Sequence, residues 1–461
     1  MNPDGRRILF ASLPSGRHER RGQLALGWLM LATAAVAASS LFAILIVLAR
    51  VPGLGSLFPG TEFYRVALTL HVNLSQWVWF MAFAGLLWCM AAHRAAGVVD
   101  WSALVLATAG ALMMTVSPAI GVVRPIMSNY LPVLDSPVFL AGLAVYGLGV
   151  LASAACALIE WRASWADRTG PEDSAPGSVM RLGLWLAAAV VVAALLLFAA
   201  TWGRVGQTLS GFPLFETLFW GPGHVWQFCL TTLMLVAWLG LTPARAAPSS
   251  PALLKVLLLL GVAPVLATVP LLPADPASAG YFAAFTRVMQ WASWEIPVLF
   301  ALVLLASHWR ERTRPDPGIG LSLLLLVCGI LLGTVIAGQT TLVTAHYHGT
   351  IGAVTLAFMA LTYGVLPAIG HASPPRERCG LQLRLYGYGI LMMMSGLAGA
   401  GLMGAPRKMA GDVGIGFGIE SFSRMLLGIG GTLATIGILM FLHLVLRQLW
   451  PGALLRVARH G

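Results

Sequence analysis

Long apolar runs separated by short polar segments make up most of this chain of 461 residues. A helix needs about 20 apolar residues to cross the hydrocarbon core of a bilayer, and twelve runs reach that length. They lie near 25–49, 66–92, 102–123, 136–159, 179–202, 213–241, 252–273, 282–307, 319–339, 341–369, 384–404 and 424–447. The pattern predicts an all-α fold, a polytopic membrane bundle of about twelve transmembrane helices. We expect residues 25–447 to form this single domain, between cytoplasmic tails at 1–24 and 448–461.

The composition excludes a water-soluble globular enzyme and a disordered chain. Hydrophobic residues make up 58% of the chain and charged residues only 10%, against roughly 25% charged residues in soluble domains. The net charge of +11 is carried by basic residues in short loops between apolar runs, which argues against nucleic acid as a partner. Membrane lipid is therefore the expected surrounding of the chain.

The distribution of basic residues predicts the orientation of the bundle. The N-terminus, the C-terminus and the even-numbered loops, which begin with the loop between the second and third spans, hold 20 of the 28 Lys and Arg residues. The positive-inside rule then places both termini in the cytoplasm. In that orientation the second, sixth and tenth spans run from the outside inward.

Four of the ten histidines lie at membrane depth. The others stand in loops, tails or span ends, where a solvated or interfacial histidine is expected. His71, His224, His346 and His348 lie in the early part of the three inward-running spans. An ionisable group within a span is costly and usually marks function, and neutral imidazole is a common metal ligand. Each histidine alone is compatible with a hydrogen bond between helices, but the joint pattern favours metal ligation.

The two histidines of the tenth span are separated by one residue. Residues two apart on a helix point about 200° apart. His346 and His348 therefore cannot share one metal from one side. They can each serve a different planar cofactor on opposite faces of the helix.

The segment Val343-Thr344-Ala345-His346-Tyr347-His348 is similar to the V-x-A-H-F-H motif of the heme-copper oxidase superfamily, catalytic subunit I. This resemblance extends over nearly the whole chain and implies two hemes of b type or a related type. His71 and His348 would be the axial ligands of a low-spin heme, and His346 the proximal ligand of a high-spin heme. His224 would correspond to the ligand of a second active-site metal, which is copper in the oxidases and iron in nitric oxide reductases.

A second motif of the same family lies before the twelfth span. Gly404-Ala405-Pro406-Arg407-Lys408 resembles G-x-P-R-R, whose basic residues pair with heme propionates. Fixed cations stabilise such anions, so Arg407 and Lys408 would be the propionate partners. The stretch 129–135 also resembles a connection between the third and fourth spans in bacterial members, although the motif itself indicates no chemistry.

The sequence departs from the family at the second metal. Family members with activity carry an adjacent His-His pair on the seventh span, where this chain has Ala267 and Thr268. Trp226 and Phe228 replace the Glu and Tyr that often follow the histidine of the sixth span in oxidases. One imidazole is a poor site for copper or iron, which need several ligands. The sequence leaves open whether copper, non-heme iron or neither accompanies His224.

Glu295 is the most notable polar residue of the eighth span, in Trp294-Glu295-Ile296-Pro297. It suits a proton carrier or a substitute metal ligand. The alternative is a carboxylic acid that stays neutral or is hydrogen-bonded between helices.

The resemblance implies a respiratory oxidoreductase of the bacterial cytoplasmic (inner) membrane. Electrons would pass from the low-spin to the high-spin heme, which would reduce a diatomic ligand, with oxygen as the first candidate. The alternatives are a nitric oxide reductase-like enzyme and a non-catalytic di-heme protein for electron transfer or gas sensing. The five cysteines stand singly and no CxxCH motif is present. A cytochrome-c or copper-bearing subunit is therefore the expected electron donor.

Overall fold

The computed structural model describes residues 18–48, 60–92, 94–166, 176–407 and 419–449. Within these ranges, twelve helical segments are long and apolar enough to cross a membrane, and the predicted all-α bundle is confirmed. They are span 1 (His18–Leu48), span 2 (Gly60–Val72, Asn73–Val78 and Trp79–Ala91), span 3 (Val98–Ile120), span 4 (Pro137–Ala166), span 5 (Pro176–Val205), span 6 (Gly211–Leu241), span 7 (Pro251–Val262 and Ala263–Leu271), span 8 (Ala279–Ala292 and Glu295–Arg310), span 9 (Pro317–Thr334), span 10 (Thr341–Ala368), span 11 (Arg376–Leu402) and span 12 (Ile419–Leu449).

Several spans begin at residues whose side chains cap the helix. Ser250, Asp316 and Thr340 each accept a hydrogen bond from a backbone N–H of the first turn of spans 7, 9 and 10. Proline follows the first two of these caps directly, at a position where a helix needs no N–H donor. The polar residues between apolar runs therefore fix where these helices start.

Spans 2, 6 and 10 form the centre of the bundle. In their most apolar windows 83%, 83% and 72% of the residues are buried inside the protein, against 22% in spans 7 and 8. Span 10 packs between spans 9 and 11 and against span 6, and span 2 packs on span 1. The four histidines at membrane depth thus lie on the three most enclosed spans.

Spans 9 and 10 approach each other unusually closely. A Cβ added to Gly349 of span 10 would lie 2.7 Å from the Cα of Gly329 on span 9. Small residues permit this approach of two backbones. Between the two helices, Gly338 adopts a positive φ of 67°, which glycine tolerates without strain. The close approach brings the backbone carbonyl of Gly329 on span 9 to His346 on span 10.

Three of the spans depart from a continuous α-helix. Span 2 contains a π-helical segment, Asn73–Val78, which begins two residues after His71, and π-helical turns are frequent at functional sites. Span 7 ends in the 3₁₀ segment Ala263–Leu271. Span 8 is interrupted between Ala292 and Glu295, so that Glu295 begins its second helix.

A small hairpin connects spans 3 and 4. Strand β1 (Arg124–Ile126) pairs antiparallel with strand β2 (Val133–Asp135). The turn between the strands carries Asn129 and Tyr130. This hairpin lies against spans 2 and 6, which places the turn beside two of the histidine-bearing helices.

Candidate functional site

All four histidines at membrane depth direct Nδ1 to a backbone carbonyl oxygen. A carbonyl only accepts, so Nδ1 carries the hydrogen and Nε2 keeps its lone pair. This is the tautomer of a histidine whose Nε2 binds a metal, with the carbonyl fixing the ring. No hydrogen bond to any of the four Nε2 atoms occurs within the described residues. The pairs are His71 with Ser39 (3.0 Å), His224 with Trp220 (2.6 Å), His346 with Gly329 (2.7 Å) and His348 with Thr344 (2.8 Å).

His71 is held by the neighbouring span 1 and by its own helix. The hydroxyl of Ser39 lies 2.9 Å from Nδ1 and donates to the carbonyl oxygen of His71 at 3.1 Å. Ser75 donates to the same carbonyl at 2.7 Å. The two hydroxyls thus bind the backbone carbonyl of His71 just before the π-helical segment, while the contacts of Nδ1 with Ser39 hold the imidazole.

His346 and His348 leave span 10 in different directions. His346 faces span 9, where Gly329 accepts its Nδ1–H. His348 stacks on the ring of Tyr347, with centroids 5.0 Å apart. It also lies close enough to His71 for the charges of the two imidazoles to interact. Span 10 therefore presents one histidine to span 9 and one to the histidine of span 2.

The geometry at His71 and His348 fits a planar cofactor. Both side chains are surrounded by protein atoms, yet both keep solvent-accessible surface, which indicates space beside the rings inside the bundle. Their unprotonated Nε2 atoms could hold one heme iron between them. His346, which also keeps accessible surface, offers a single Nε2. The donor set thus fits two hemes, although the individual roles stay predictions.

His224 is enclosed by aromatic rings. Its side chain is buried, and ring centroids of Tyr130, Trp220 and Phe285 lie 4.8, 5.1 and 5.9 Å away. The helix is continuous through Pro222 just before it. Among the residues that the structure describes, no three His, Cys, Asp or Glu side chains come together as metal ligands. The surroundings of His224 therefore do not fit a copper or non-heme iron site, which needs several donors.

The polar residues of spans 7 and 8 do not complete a site around His224. The hydroxyl of Thr268 donates to the carbonyl of Val265 in its own helix, at 2.7 Å. Glu295 is half-buried and begins the second helix of span 8. It makes no hydrogen bond or ion pair to the described part of the chain. Its role as proton carrier or substitute ligand stays a prediction.

Backbone hydrogen bonds hold the segment around Arg407 against the beginning of span 10. Its backbone N–H donates to the carbonyl of Gln339 at 3.2 Å, and the N–H of Thr341 donates to Ala405 at 2.9 Å. The guanidinium lies near Tyr347 of the histidine motif. Burial lowers the pKa of Arg407 below its ordinary value, and Tyr347 and Glu216 act in the opposite direction. The other predicted propionate partner, Lys408, lies outside the described residues.

The hairpin turn joins Arg407 to a buried carboxylate. A nitrogen of the Arg407 guanidinium, Nη2, donates to the side-chain oxygen of Asn129. The backbone N–H of Asn129 donates to Glu216 Oε2 at 2.7 Å, and its Nδ2 donates to Oε1. Asn129 belongs to the motif that resembled bacterial family members, and Glu216 is a rare acidic residue within a span. These two signals were visible in the sequence, but nothing in it connects them.

Tyr130, the next residue of the turn, packs against His224. Burial raises the pKa of its phenol well above the ordinary value, and the side chain of Gln227 lies close enough to oppose this shift. The ring of Tyr130 also lies against the backbone of Gly223. The turn between β1 and β2 thus contacts both the histidine of span 6 and the arginine that precedes span 12.

Comparison with known proteins identifies relatives along most of the chain. The family model for cytochrome c and quinol oxidase polypeptide I matches residues 23–433. An uncharacterised protein of Rickettsia prowazekii (strain Madrid E) is 22% identical over 93% of this chain and 96% of its own length. An uncharacterised protein of Aquifex aeolicus (strain VF5) is 26% identical over 75% of this chain and 85% of its own length.

A solved structure shares the fold. A heme-copper terminal oxidase dimer, determined by cryo-electron microscopy, superposes with a TM-score of 0.70 at 16% identity. The match covers 93% of this chain and 84% of the oxidase chain. The superposition supports the twelve-helix architecture independently of the sequence motifs. Since the family model extends from residue 23 to residue 433, the chain belongs to the cytochrome c and quinol oxidase polypeptide I family, that is, to heme-copper oxidase subunit I.

Proposed function

We propose that this chain is the heme-bearing subunit of a bacterial respiratory oxidoreductase that reduces oxygen. His71 and His348 would hold a low-spin heme, and His346 would hold a high-spin heme of b type or a related type. When bound, the hemes supply one-electron transfer and an open iron position for a diatomic ligand. The observation that carries the proposal is the shared Nδ1-to-carbonyl bond, which leaves four unprotonated Nε2 atoms on the three central spans.

The residues around the low-spin position orient its two ligands in advance. Ser39 and Thr344 accept the Nδ1–H groups of His71 and His348 through their carbonyls. Because the rings are fixed before a metal binds, little conformational entropy is lost on ligation. Spans 2 and 10 each supply one ligand, so the site also holds these two helices together.

His346 would bind the high-spin heme as its single protein ligand. The carbonyl of Gly329 accepts its Nδ1–H at 2.7 Å, which raises the basicity of Nε2 and fixes the plane of the ring. His71 and His348 would serve the low-spin heme, so His346 would be the one protein ligand of the high-spin heme. A single protein ligand is what a heme that binds a gas requires.

His224 would serve as a lone imidazole near the bound gas. Since Nδ1 donates to Trp220, neutral His224 presents a lone pair at Nε2. It can take up a proton at that atom and deliver it to a reduced ligand, as a general acid does. No step of this proposal uses a second metal, because the donors at His224 do not fit one.

Arg407 and Lys408 would bind the heme propionates. The Nε and Nη1 atoms of Arg407 have no partner among the residues described, so they are available to an anion. The electron donor would be a separate cytochrome-c or copper-bearing subunit. We place both termini in the cytoplasm and the chain in the inner membrane, on the basis of the basic residues of its loops.

The aromatic surroundings of His224 also support a second function. A site with no second metal suits a di-heme protein that transfers electrons or senses a gas without turnover. A test of both is the consumption of oxygen and of nitric oxide by the purified protein with a reduced electron donor. Oxygen turnover supports the first proposal. Reversible gas binding with turnover of neither gas contradicts it and supports the second, and nitric oxide turnover alone assigns the enzyme to the reductases.

A further inference from the structure

One asparagine connects a cation and an anion from distant parts of the chain. Asn129 accepts a hydrogen bond from Arg407 Nη2 at its side-chain oxygen. It donates from its backbone N–H and from Nδ2 to the two carboxylate oxygens of Glu216. Glu216 is 9% exposed. A buried carboxylate with both oxygens occupied by one residue is strongly fixed in place.

The hydrogen bonds from Arg407 through Asn129 to Glu216 all run in the same donor-to-acceptor direction. The guanidinium donates to the amide oxygen, and the amide nitrogen donates to the carboxylate. The dipole of the amide is therefore aligned with the charges at its two ends, and each bond strengthens the next. A side chain without both a donor and an acceptor at these positions cannot make the bridge.

The bridge joins three segments: span 6, the hairpin turn and the segment before span 12. Glu216 lies on span 6, two turns before His224, and Asn129 lies on the hairpin turn. Arg407 belongs to the segment that pairs with the beginning of span 10. The hydrogen bond from Nη2 to Asn129 restricts the orientation of the planar guanidinium and leaves Nε and Nη1 for another acceptor.

We propose that Asn129 is a positioning residue for Arg407 and that Glu216 is the buried counter-ion of Arg407. Together they set the strength of the positive field that heme propionates meet. The inference rests on the proposed function, in which Arg407 binds those propionates. The carboxylate partly offsets the guanidinium, so the native field is weaker than that of Arg407 alone.

The first experiment measures heme midpoint potentials in the purified protein. E216Q keeps an acceptor oxygen but removes the negative charge, so the potential of one heme should rise. R407Q should lower the same potential. In the N129A background the R407Q shift should lose most of its size, because the guanidinium is no longer held. Unchanged potentials in E216Q, or a full-sized R407Q shift in N129A, would overturn the inference.

A matched control tests whether the loss of any buried amide side chain shifts the heme midpoint potentials. Gln382 accepts a hydrogen bond from Tyr363 and donates to the carbonyl of Gly437 in spans 10 to 12. Q382A should lower the melting temperature and leave both heme potentials unchanged. Equal shifts in Q382A and N129A would reduce Asn129 to a structural role and contradict the inference.

A second measurement does not depend on heme. In a double-mutant cycle of thermal unfolding in detergent, E216Q and R407Q should be coupled when Asn129 is present and uncoupled in N129A. N129L, whose side chain has neither a donor nor an acceptor, replaces N129A if the latter yields no folded protein. Protein that contains no heme but shows this coupling contradicts the proposed function and leaves the bridge intact. Heme-containing protein without the coupling contradicts the bridge alone.

Discussion

The Nδ1–H of His346 on span 10 donates to the carbonyl of Gly329 on span 9, at 2.7 Å. Gly333, one turn further along span 9, borders the same imidazole, and a Cβ added there would lie 2.9 Å from His346 Nδ1. We expect Gly333→Ala to displace the ring and to weaken high-spin heme binding about 10-fold or more, as loss of ligand orientation does. Heme content and the high-spin absorption signal measure this effect.

Gly320 provides the control for that substitution. It lies on the same helix, and no atom stands within 4 Å of a Cβ added there. Gly320→Ala should leave heme content unchanged, because the new methyl group meets no neighbour. If Gly333→Ala also leaves the high-spin signal intact, His346 is not the proximal ligand in the position described.

Removal of His71 should affect only the low-spin heme. We expect His71→Ala to abolish the six-coordinate low-spin spectrum and to retain a high-spin heme. The high-spin heme should persist because its ligand, His346, lies on the face of span 10 opposite to His348, the partner of His71. Absorption and electron paramagnetic resonance spectra of the reduced and oxidised protein distinguish the two hemes. His443→Ala, on an exposed position of span 12, should change neither. An unchanged reduced spectrum in His71→Ala would refute the axial assignment.

Loss of Arg407 should lower a heme midpoint potential. Removal of a positive charge near a heme favours the oxidised form, which carries one electron less. A change of 1.4 kcal/mol in this interaction corresponds to about 60 mV for one electron, and we expect a shift of roughly that size in Arg407→Ala. Redox titration measures it, with Arg124→Ala on strand β1 as an exposed control. Equal potentials in wild type and Arg407→Ala would place the arginine away from the propionates.

His224 should contribute to turnover without holding a metal. A general acid typically contributes about 10²–10⁴-fold to a rate, so His224→Ala should slow oxygen reduction by at least the lower figure. Heme content should stay the same. Oxygen consumption and metal analysis on the same samples test both statements. If the native protein holds about one copper or non-heme iron and His224→Ala removes it, His224 binds a second metal together with other residues. Glu295→Gln is then the next variant to analyse, because Glu295 is the first candidate for a substitute ligand.

The sequence predicted the bundle well because apolar length alone identifies a membrane span. Helix ends were less accurate. Span 11 begins at Arg376 rather than near 384, since the polar residues of its first turns continue the helix beyond the apolar run. Span 9 ends at Thr334 rather than near 339, because the chain must turn at Gly338 before span 10 begins. Hydropathy reports lipid contact and carries no information about these turns.

The site was predicted only in part. The histidines are visible in the sequence because imidazole is rare at membrane depth, and their spacing gave the opposite faces of span 10. The bridge through Asn129 was not visible, since its partners lie 87 and 278 residues away in the sequence. Contacts of that kind depend on how the hairpin turn packs on span 6, which no local pattern encodes. The aromatic surroundings of His224 depend on the same packing.

Heme and metal content per chain is the most direct test of the account. Purified protein should contain two non-covalent hemes, one six-coordinate and one able to bind carbon monoxide, and copper and non-heme iron well below one atom per chain. This result follows from four histidines with available Nε2 atoms and from the single imidazole at the aromatic site. Protein without heme, or protein with two hemes and one further tightly bound metal ion, would contradict the account.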